Sequence, residues 1–214
     1  MQIEPMRAEE LTTFIKHKDD FKVVFDVGAR GNLEFVQIHP NCEYHLFEPQ
    51  IGYANYLKET TKDMQNVTAN HMGLGDEVVK QAKFYHNIQS FAPHPFVDSH
   101  HNEGDEFDIS TIDEYCKEHS IDSIDFVKID TEGYDYKVLL GAKDMLKQNR
   151  IKYIQFEYWD GVQKFVDLLS EKYNMTFMCE DGKEYEFDET IIQWIDQERI
   201  PSGRGGDVFC KLKQ

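Results

Sequence analysis

Short apolar runs alternate along the chain with stretches of helical period, the pattern of an α/β fold. Arg7 to Lys18 reads as an amphipathic helix with Leu11, Phe14 and Ile15 on one face. Phe21 to Phe25 (FKVVF) predicts a buried strand that runs out at Asp26-Val27-Gly28. Tyr44 to Phe47 predicts a second strand, closed by Glu48-Pro49 and followed by a helix over Tyr53 to Lys62. Strands are expected at Val67 to Met72 and Ala82 to Tyr85, around the turn Gly73-Leu74-Gly75-Asp76. Ser110, with Asp113 three residues on, reads as a helix N-cap. Asp125 to Ile129 is the clearest buried strand, and Tyr134 to Gln148 a helix with Val138, Leu139, Ala142, Met145 and Leu146 at core spacing. Tyr153 to Phe156 is a strand, followed by a helix through Leu169. Met175 to Met178 and Asp207 to Leu212 are late strands.

Two segments break this rhythm. Residues 87–106 hold Pro93, Pro95, His94, His100 and His101, and residues 196–206 read DQERIPSGRGG. Loops of this length in a compact domain are usually functional, and both are expected to cover an acceptor site. No repeat or linker divides the chain, so residues 1–214 are expected to form one domain with an N-terminal helix within residues 1–20.

Composition narrows the class. Apolar residues make up 40% and aromatics 13%, which suits a globular protein. No apolar run reaches the ~20 residues of a membrane span, and the opening MQIEPMRAEELTTF lacks the plan of a secretory signal. A cytoplasmic location without membrane association is the expectation. Cys42, Cys116, Cys179 and Cys210 are scattered, which favours buried thiols over zinc or disulfides. The formal charge of −17, from 40 acidic and 23 basic residues, disfavours nucleic acid and favours neutral or cationic ligands.

The candidate chemistry lies where the predicted strands end, the rim at which open α/β sheets bind ligands. In Asp26-Val27-Gly28-Ala29-Arg30-Gly31 the dinucleotide spacing G-x-G-x-x-G is absent and a carboxylate precedes the first glycine. That carboxylate opposes a pyrophosphate and suits a ligand with an amino group, such as S-adenosylmethionine (SAM). Gly28 lets the backbone approach the ligand, and Gly31 eases the turn. An ordinary strand-to-helix turn would read the same way. Glu48, at the end of the next strand, stands where a βαβ unit places an acid for ribose hydroxyls. Lys128 and Asp130 share one side of the buried strand before Thr131-Glu132-Gly133, either as an ion pair or as functional groups. Glu132, Asp135 and Glu157 add acids at the same rim.

The series DVGARG, FEP, GLGD, STID, KIDTEGYD, VLLGA and QFEY, from about Val24 to Tyr158, resembles the FkbM family of methyltransferases. The resemblance implies a Rossmann-like, class I SAM-dependent methyltransferase fold, with a mostly parallel seven-stranded sheet and helices on both faces. It implies O-methylation of a sugar, glycan, polyol or polyketide hydroxyl. It also places Asp26, Gly28 and Glu48 at the cofactor and Asp130 beside the transferred methyl, and Ala29, Arg30, Gly31, Pro49, Gly75 and Asp76, at the same strand ends and turns, are further cofactor candidates. Where the family pattern resembles DVGANxG, this chain has Arg30, then Gly31 one place early and Asn32, so a differently shaped turn is expected.

Transfer to an alcohol needs a general base. Asp130, beside Lys128, is the first candidate and His94, with His100 and His101, the second. Magnesium or manganese held by some of Asp130, Glu132, Glu157 and Asp160 is a third arrangement, which spacing does not assign. Glu132, Glu157, Tyr158 and Arg204 are expected at the acceptor, with Trp159 and Arg199 beside them; core packing is the alternative for Tyr158 and Trp159. The competing functions are a dinucleotide-dependent oxidoreductase and a non-catalytic glycan-binding module of the same fold.

Overall fold

The computed structural model describes residues 3, 5–85, 104–158, 161–179, 183–196 and 206–214. In chain order, α1 (Ala8–His17) leads into β1 (Val23–Val27), α2 (Glu34–Ile38), β2 (Glu43–Phe47), α3 (Ile51–Thr61) and β3 (Val67–Asn70). Then come β4 (Met72–Leu74), β5 (Val79–Tyr85), β6 (Gly104–Ser110), α4 (Ile112–Glu118) and β7 (Ile124–Ile129). The remainder is α5 (Asp135–Leu140), α6 (Lys143–Lys147), β8 (Ile151–Phe156), α7 (Gln163–Leu169), β9 (Tyr173–Cys179), β10 (Glu184–Glu186), α8 (Glu189–Asp196) and β11 (Gly206–Leu212).

The main sheet has the order β10-β9-β11-β8-β7-β1-β2-β3. From β3 to β8 the pairs are parallel, and β11, β9 and β10 join antiparallel. The sheet is therefore mostly parallel as expected, with eight strands rather than seven because β10 adds to its edge. β4, β6 and β5 form a separate three-stranded sheet. Strand alternation sends successive side chains to opposite faces. Val24, Tyr44, Leu46 and Phe126 pack with Phe14, Phe35 and Leu57 of α1, α2 and α3. Phe25, Val27, Phe47 and Val127 pack with residues of α4, α5, α6 and α7. Among the described residues, no helix is long and apolar enough to cross a membrane.

Several local expectations are corrected. Helix α1 buries Glu9, Glu10, Thr13 and Phe14, while Ile15 is 49% exposed. Polar groups on the sheet need partners, and the helix turns toward them (below). Thr111, not Ser110, caps α4: its Oγ1 accepts from the Glu114 amide at 3.0 Å. Asp113 instead accepts from the amides of Asp144 and Met145, at 2.8 and 3.0 Å, and so holds the start of α6. The helix expected from Tyr134 to Gln148 is two, divided at Gly141-Ala142. A Cβ on Gly141 would lie 1.9 Å from the Gly75 carbonyl oxygen, so the break brings the two glycines into contact. The irregular segment expected to reach residue 106 gives way to β6 at Gly104. The late segment after Ile195 is bounded by Asp196 in α8 and Gly206 in β11.

Candidate active site

Strands β2 and β3 lie on one side of β1, and β7 and β8 on the other, so the order reverses at β1. A cleft of about 280 Å³ opens at the carboxyl ends of β1, β7 and β8, where the reversal leaves a crevice. Gly28, Ala29, Arg30 and Asn32 form one wall, Lys128, Asp130, Glu132 and Glu157 another, and Pro5, Met6, Arg7 and Glu10 the third.

The turn after β1 is built by backbone demands. Gly28 has φ +89°, and a Cβ there would lie 1.8 Å from the Asp130 carbonyl oxygen. The neighbour that requires a glycine is thus the strand beside it rather than a ligand. The Asp130 amide donates to Val27, and the amides of Gly28 and Ala29 donate to Phe47, tying the three strand ends together. Arg30 and Gly31 follow with φ of 45° and 83°. A left-handed Arg is uncommon, and its amide donates to Glu48 Oε2 at 2.8 Å. Glu48 Oε1 accepts from the Gln50 amide, also at 2.8 Å. Burial pushes the Glu48 carboxyl up to about 7, against the lowering by these two amides.

A polar row crosses the sheet beneath the cleft. Register places Asp26 beside Lys128 and Lys128 beside Gln155. Lys128 is buried; its Nζ reaches Glu10 Oε1 at 2.9 Å and Asp130 Oδ2 at 3.2 Å. Burial opposes its charge, yet Asp130, Glu10 and Asp26 raise its pKa well above the ordinary value. The same pairing with Lys128 lowers Glu10 despite burial. Gln155 donates to Asp207 Oδ2 and its Oε1 accepts from Thr13, both at 2.5 Å. Burial holds Asp207 well above the carboxylate range. Asp26 is 1% exposed, and its Oδ1 has no hydrogen-bond partner among the described residues. Burial pushes it up to about 7, Lys128 opposes this, and Glu10 and Asp130 add to it.

Arg7 closes the third wall. Its guanidinium donates to Glu157 and lies 3.6 Å from Asp207 Oδ1, 3.3 Å from Glu9 and 3.5 Å from Glu10. Burial opposes its charge, and Glu157 and Asp207 outweigh that and raise it. Asp135 accepts from Thr131 Oγ1 at 2.7 Å and from the Glu157 amide at 3.2 Å, joining the ends of β7 and β8. Burial takes Asp135 to about 7.

The expected residues thus separate. Gly28, Ala29, Arg30, Lys128, Asp130, Glu132 and Glu157 meet at the cleft, with Asp26 beneath it. The Lys128–Asp130 ion pair considered from the sequence is present, within a larger network. Glu48 stands behind the Arg30 turn that it supports, and the Pro49 carbonyl accepts from His71. Gly31 lines an adjoining groove with Ile3 and Tyr56. Gly75 packs on Tyr134 and Gly141, and Asp76 Oδ1 lies 3.7 Å from Lys137. Tyr158 packs against the core near Phe177, as the packing alternative had it, rather than on the cleft. His94, His100, His101, Trp159, Asp160, Arg199 and Arg204 lie outside the described residues. No three His, Cys, Asp or Glu among the described residues converge to hold a metal ion.

Arg7, Glu10, Gln155 and Asp207 were missed from the sequence. The available signal was polar residues in apolar strands, at Gln155 and Asp207, and the Glu9-Glu10 pair at the head of an amphipathic helix.

Comparison with solved structures shows the fold of class I methyltransferases. An rRNA methylase from Streptococcus thermophilus matches at a TM-score of 0.52 and 12% identity, over 100% of each chain. A Streptococcus mutans protein described as a methyltransferase, solved with SAH (the demethylated product of SAM), matches at 0.52 and 9%, again over 100% of each. A tRNA methyltransferase of B. subtilis matches at 0.50 and 13%, over 100% of this chain and 68% of that one. No curated protein matches in sequence. The model of the methyltransferase FkbM domain matches residues 26–197, from the buried Asp26 past β9, β10 and α8 but short of β11. With most of its length so matched, the chain belongs to the FkbM methyltransferase domain family.

Proposed function

We propose that the protein is a SAM-dependent O-methyltransferase acting on a hydroxyl of a sugar, glycan or related polyol or polyketide. The observation that carries this reading is Asp130, whose side chain is 26% exposed in the cleft at the β7 end while Lys128 holds one of its oxygens. The residues around the cleft suit SAM, whose amino and sulfonium groups are cationic. Asp26 offers a buried carboxyl oxygen without a hydrogen-bond partner among the described residues, and Glu10, Glu132 and Glu157 add negative charge. Bound there, SAM supplies a methyl group on a cationic sulfur. Glu48 shapes the cofactor wall from behind, holding the Arg30 and Gln50 amides with its two carboxyl oxygens.

The protein's task is alignment, exclusion of water and removal of a proton. Asp130 would accept the proton of the acceptor hydroxyl as general base, and SAM, where bound, would supply the methyl group and leave as SAH. The Lys128 ammonium fixes the orientation of that carboxylate. Arg7 and Glu157 wall the cleft from the side of α1 and β8.

Calorimetry with SAM, SAH and NAD tests the cofactor: SAM and SAH bind, and tight NAD binding without SAM binding overturns the reading. Mass spectrometry after incubation with labelled SAM and candidate glycans, small alcohols or RNA tests the acceptor. Label confined to RNA overturns the assignment of a glycan or small-molecule acceptor. Asp130→Asn lowers turnover by roughly 10²–10⁴-fold, well beyond the several-fold weakening of SAM binding that follows from losing one cleft carboxylate. Unchanged turnover in that variant overturns the role of Asp130.

A further inference from the structure

A cofactor that gives up its methyl group also gives up its positive charge, because the sulfonium becomes a neutral thioether. The cleft is built to feel that change. Its lining sets four carboxyls, Glu10, Asp130, Glu132 and Glu157, against three cations, Arg7, Arg30 and Lys128. Beneath the lining lie two more buried carboxyls, Asp26 and Asp207. The cations are already engaged: Lys128 lies between Glu10 and Asp130, and Arg7 meets Glu157, Glu9, Glu10 and Asp207. Asp26 Oδ1, fully buried and close to Lys128, Glu10 and Asp130, accepts no hydrogen bond among the described residues. A buried carboxyl oxygen without a donor is costly, and a cation or donor above it relieves the cost.

We infer that this carboxylate-rich cleft discriminates by charge between the two forms of the cofactor, holding cationic SAM more tightly than neutral SAH and so favouring product release. The inference rests on the SAM reading given above. The mutual repulsion of the acids supports it. After burial, Asp130 and Glu157 raise Glu132, and Glu10 and Asp130 raise Asp26. One added positive charge therefore interacts favourably with several partners at once, in a setting where solvent screens little.

The test is calorimetry on the full chain with SAM, SAH and a SAM analogue carrying a methyl-free ammonium in place of the methylsulfonium. SAM and the ammonium analogue are expected to bind about tenfold or more tightly than SAH. In Asp26→Asn both ligands bind more weakly, since SAH keeps the amino group, and the loss is several-fold larger for SAM, so the ratio of the two dissociation constants falls toward parity. If SAH binds the unaltered protein as tightly as SAM, charge selection is overturned and the cofactor reading stands. If the ammonium analogue binds only as well as SAH, charge is again overturned, because contact with the methyl then makes the difference. Binding of neither SAM nor SAH overturns both readings. The comparison on the unaltered protein decides the matter even if Asp26→Asn fails to fold.

Discussion

Lys128 shows how one side chain can organise a site. Its ammonium is buried and held by carboxylates from two elements, Glu10 of α1 and Asp130 just past β7. Removing one partner of a buried ion pair leaves uncompensated charge, at a cost of about 3–5 kcal/mol. Lys128→Met is expected to lose stability of that order at pH 8, measured by urea unfolding. The loss should be smaller at pH 5, where Glu10, no longer held down by the ammonium, takes up a proton more readily. Equal losses at both pH values would count against the network. Gly28 makes a second residue-scale case. Gly28→Ala would place its Cβ against the Asp130 carbonyl at a positive φ, so it should destabilise the fold and weaken SAM binding together. A variant as stable as the unaltered protein would refute the close approach. Lys128, Asp130 and Gly28 were legible because a charge or a glycine in an apolar run stands out. Arg7 was not, since an arginine before a surface-type helix looks ordinary until the fold sets it against Glu157.

At the scale of elements, helix ends decide what sequence periodicity leaves open. Thr111→Ala should cost about 1 kcal/mol, because its hydroxyl caps α4, while Ser110→Ala should cost less than about 0.5 kcal/mol. The reverse order in thermal or urea unfolding would restore Ser110 as the cap. The two candidates are adjacent and chemically alike, so only the backbone geometry chooses between them. The α5–α6 break has a similar origin. Core spacing continues through Val138, Leu139, Met145 and Leu146, which reads as one helix. The contact between Gly141 and Gly75, and the capping of α6 by Asp113, come from parts distant in sequence. The helical face of α1 was misjudged for a physical reason. Its buried acids serve polar groups on the sheet, which a count of apolar residues does not register.

For the molecule as a whole, buried carboxyls should shape the pH dependence of stability. Asp26 and Asp135 rise from 3.8, and Glu48 from 4.5, each to about 7 in the fold. A group that holds its proton more tightly when folded stabilises the fold below its unfolded pKa, and that contribution is lost as pH rises through the folded value. Stability is therefore expected to fall from about pH 4 to pH 7, by up to roughly 1.4 kcal/mol per pH unit for each such group. Glu10, lowered by Lys128, acts in the opposite direction. The formal charge of −17 adds self-repulsion that deepens the decline. Urea midpoints across this window check the sign; a rise toward pH 7 would contradict it. Asp26→Asn should flatten the slope and leave the protein relatively more stable at pH 8.

By itself the sequence determined the α/β plan, the strands that carry Asp26, Glu48 and Asp130, and the family, because these depend on local period and on short motifs at strand ends. Only the tertiary structure decided which polar residues meet. Strand register brings Asp26, Lys128 and Gln155 into one row, and α1 packs over it with Glu10 and Arg7. A one-residue shift in register would send each of these side chains to the opposite face, and that choice is made by packing between distant segments.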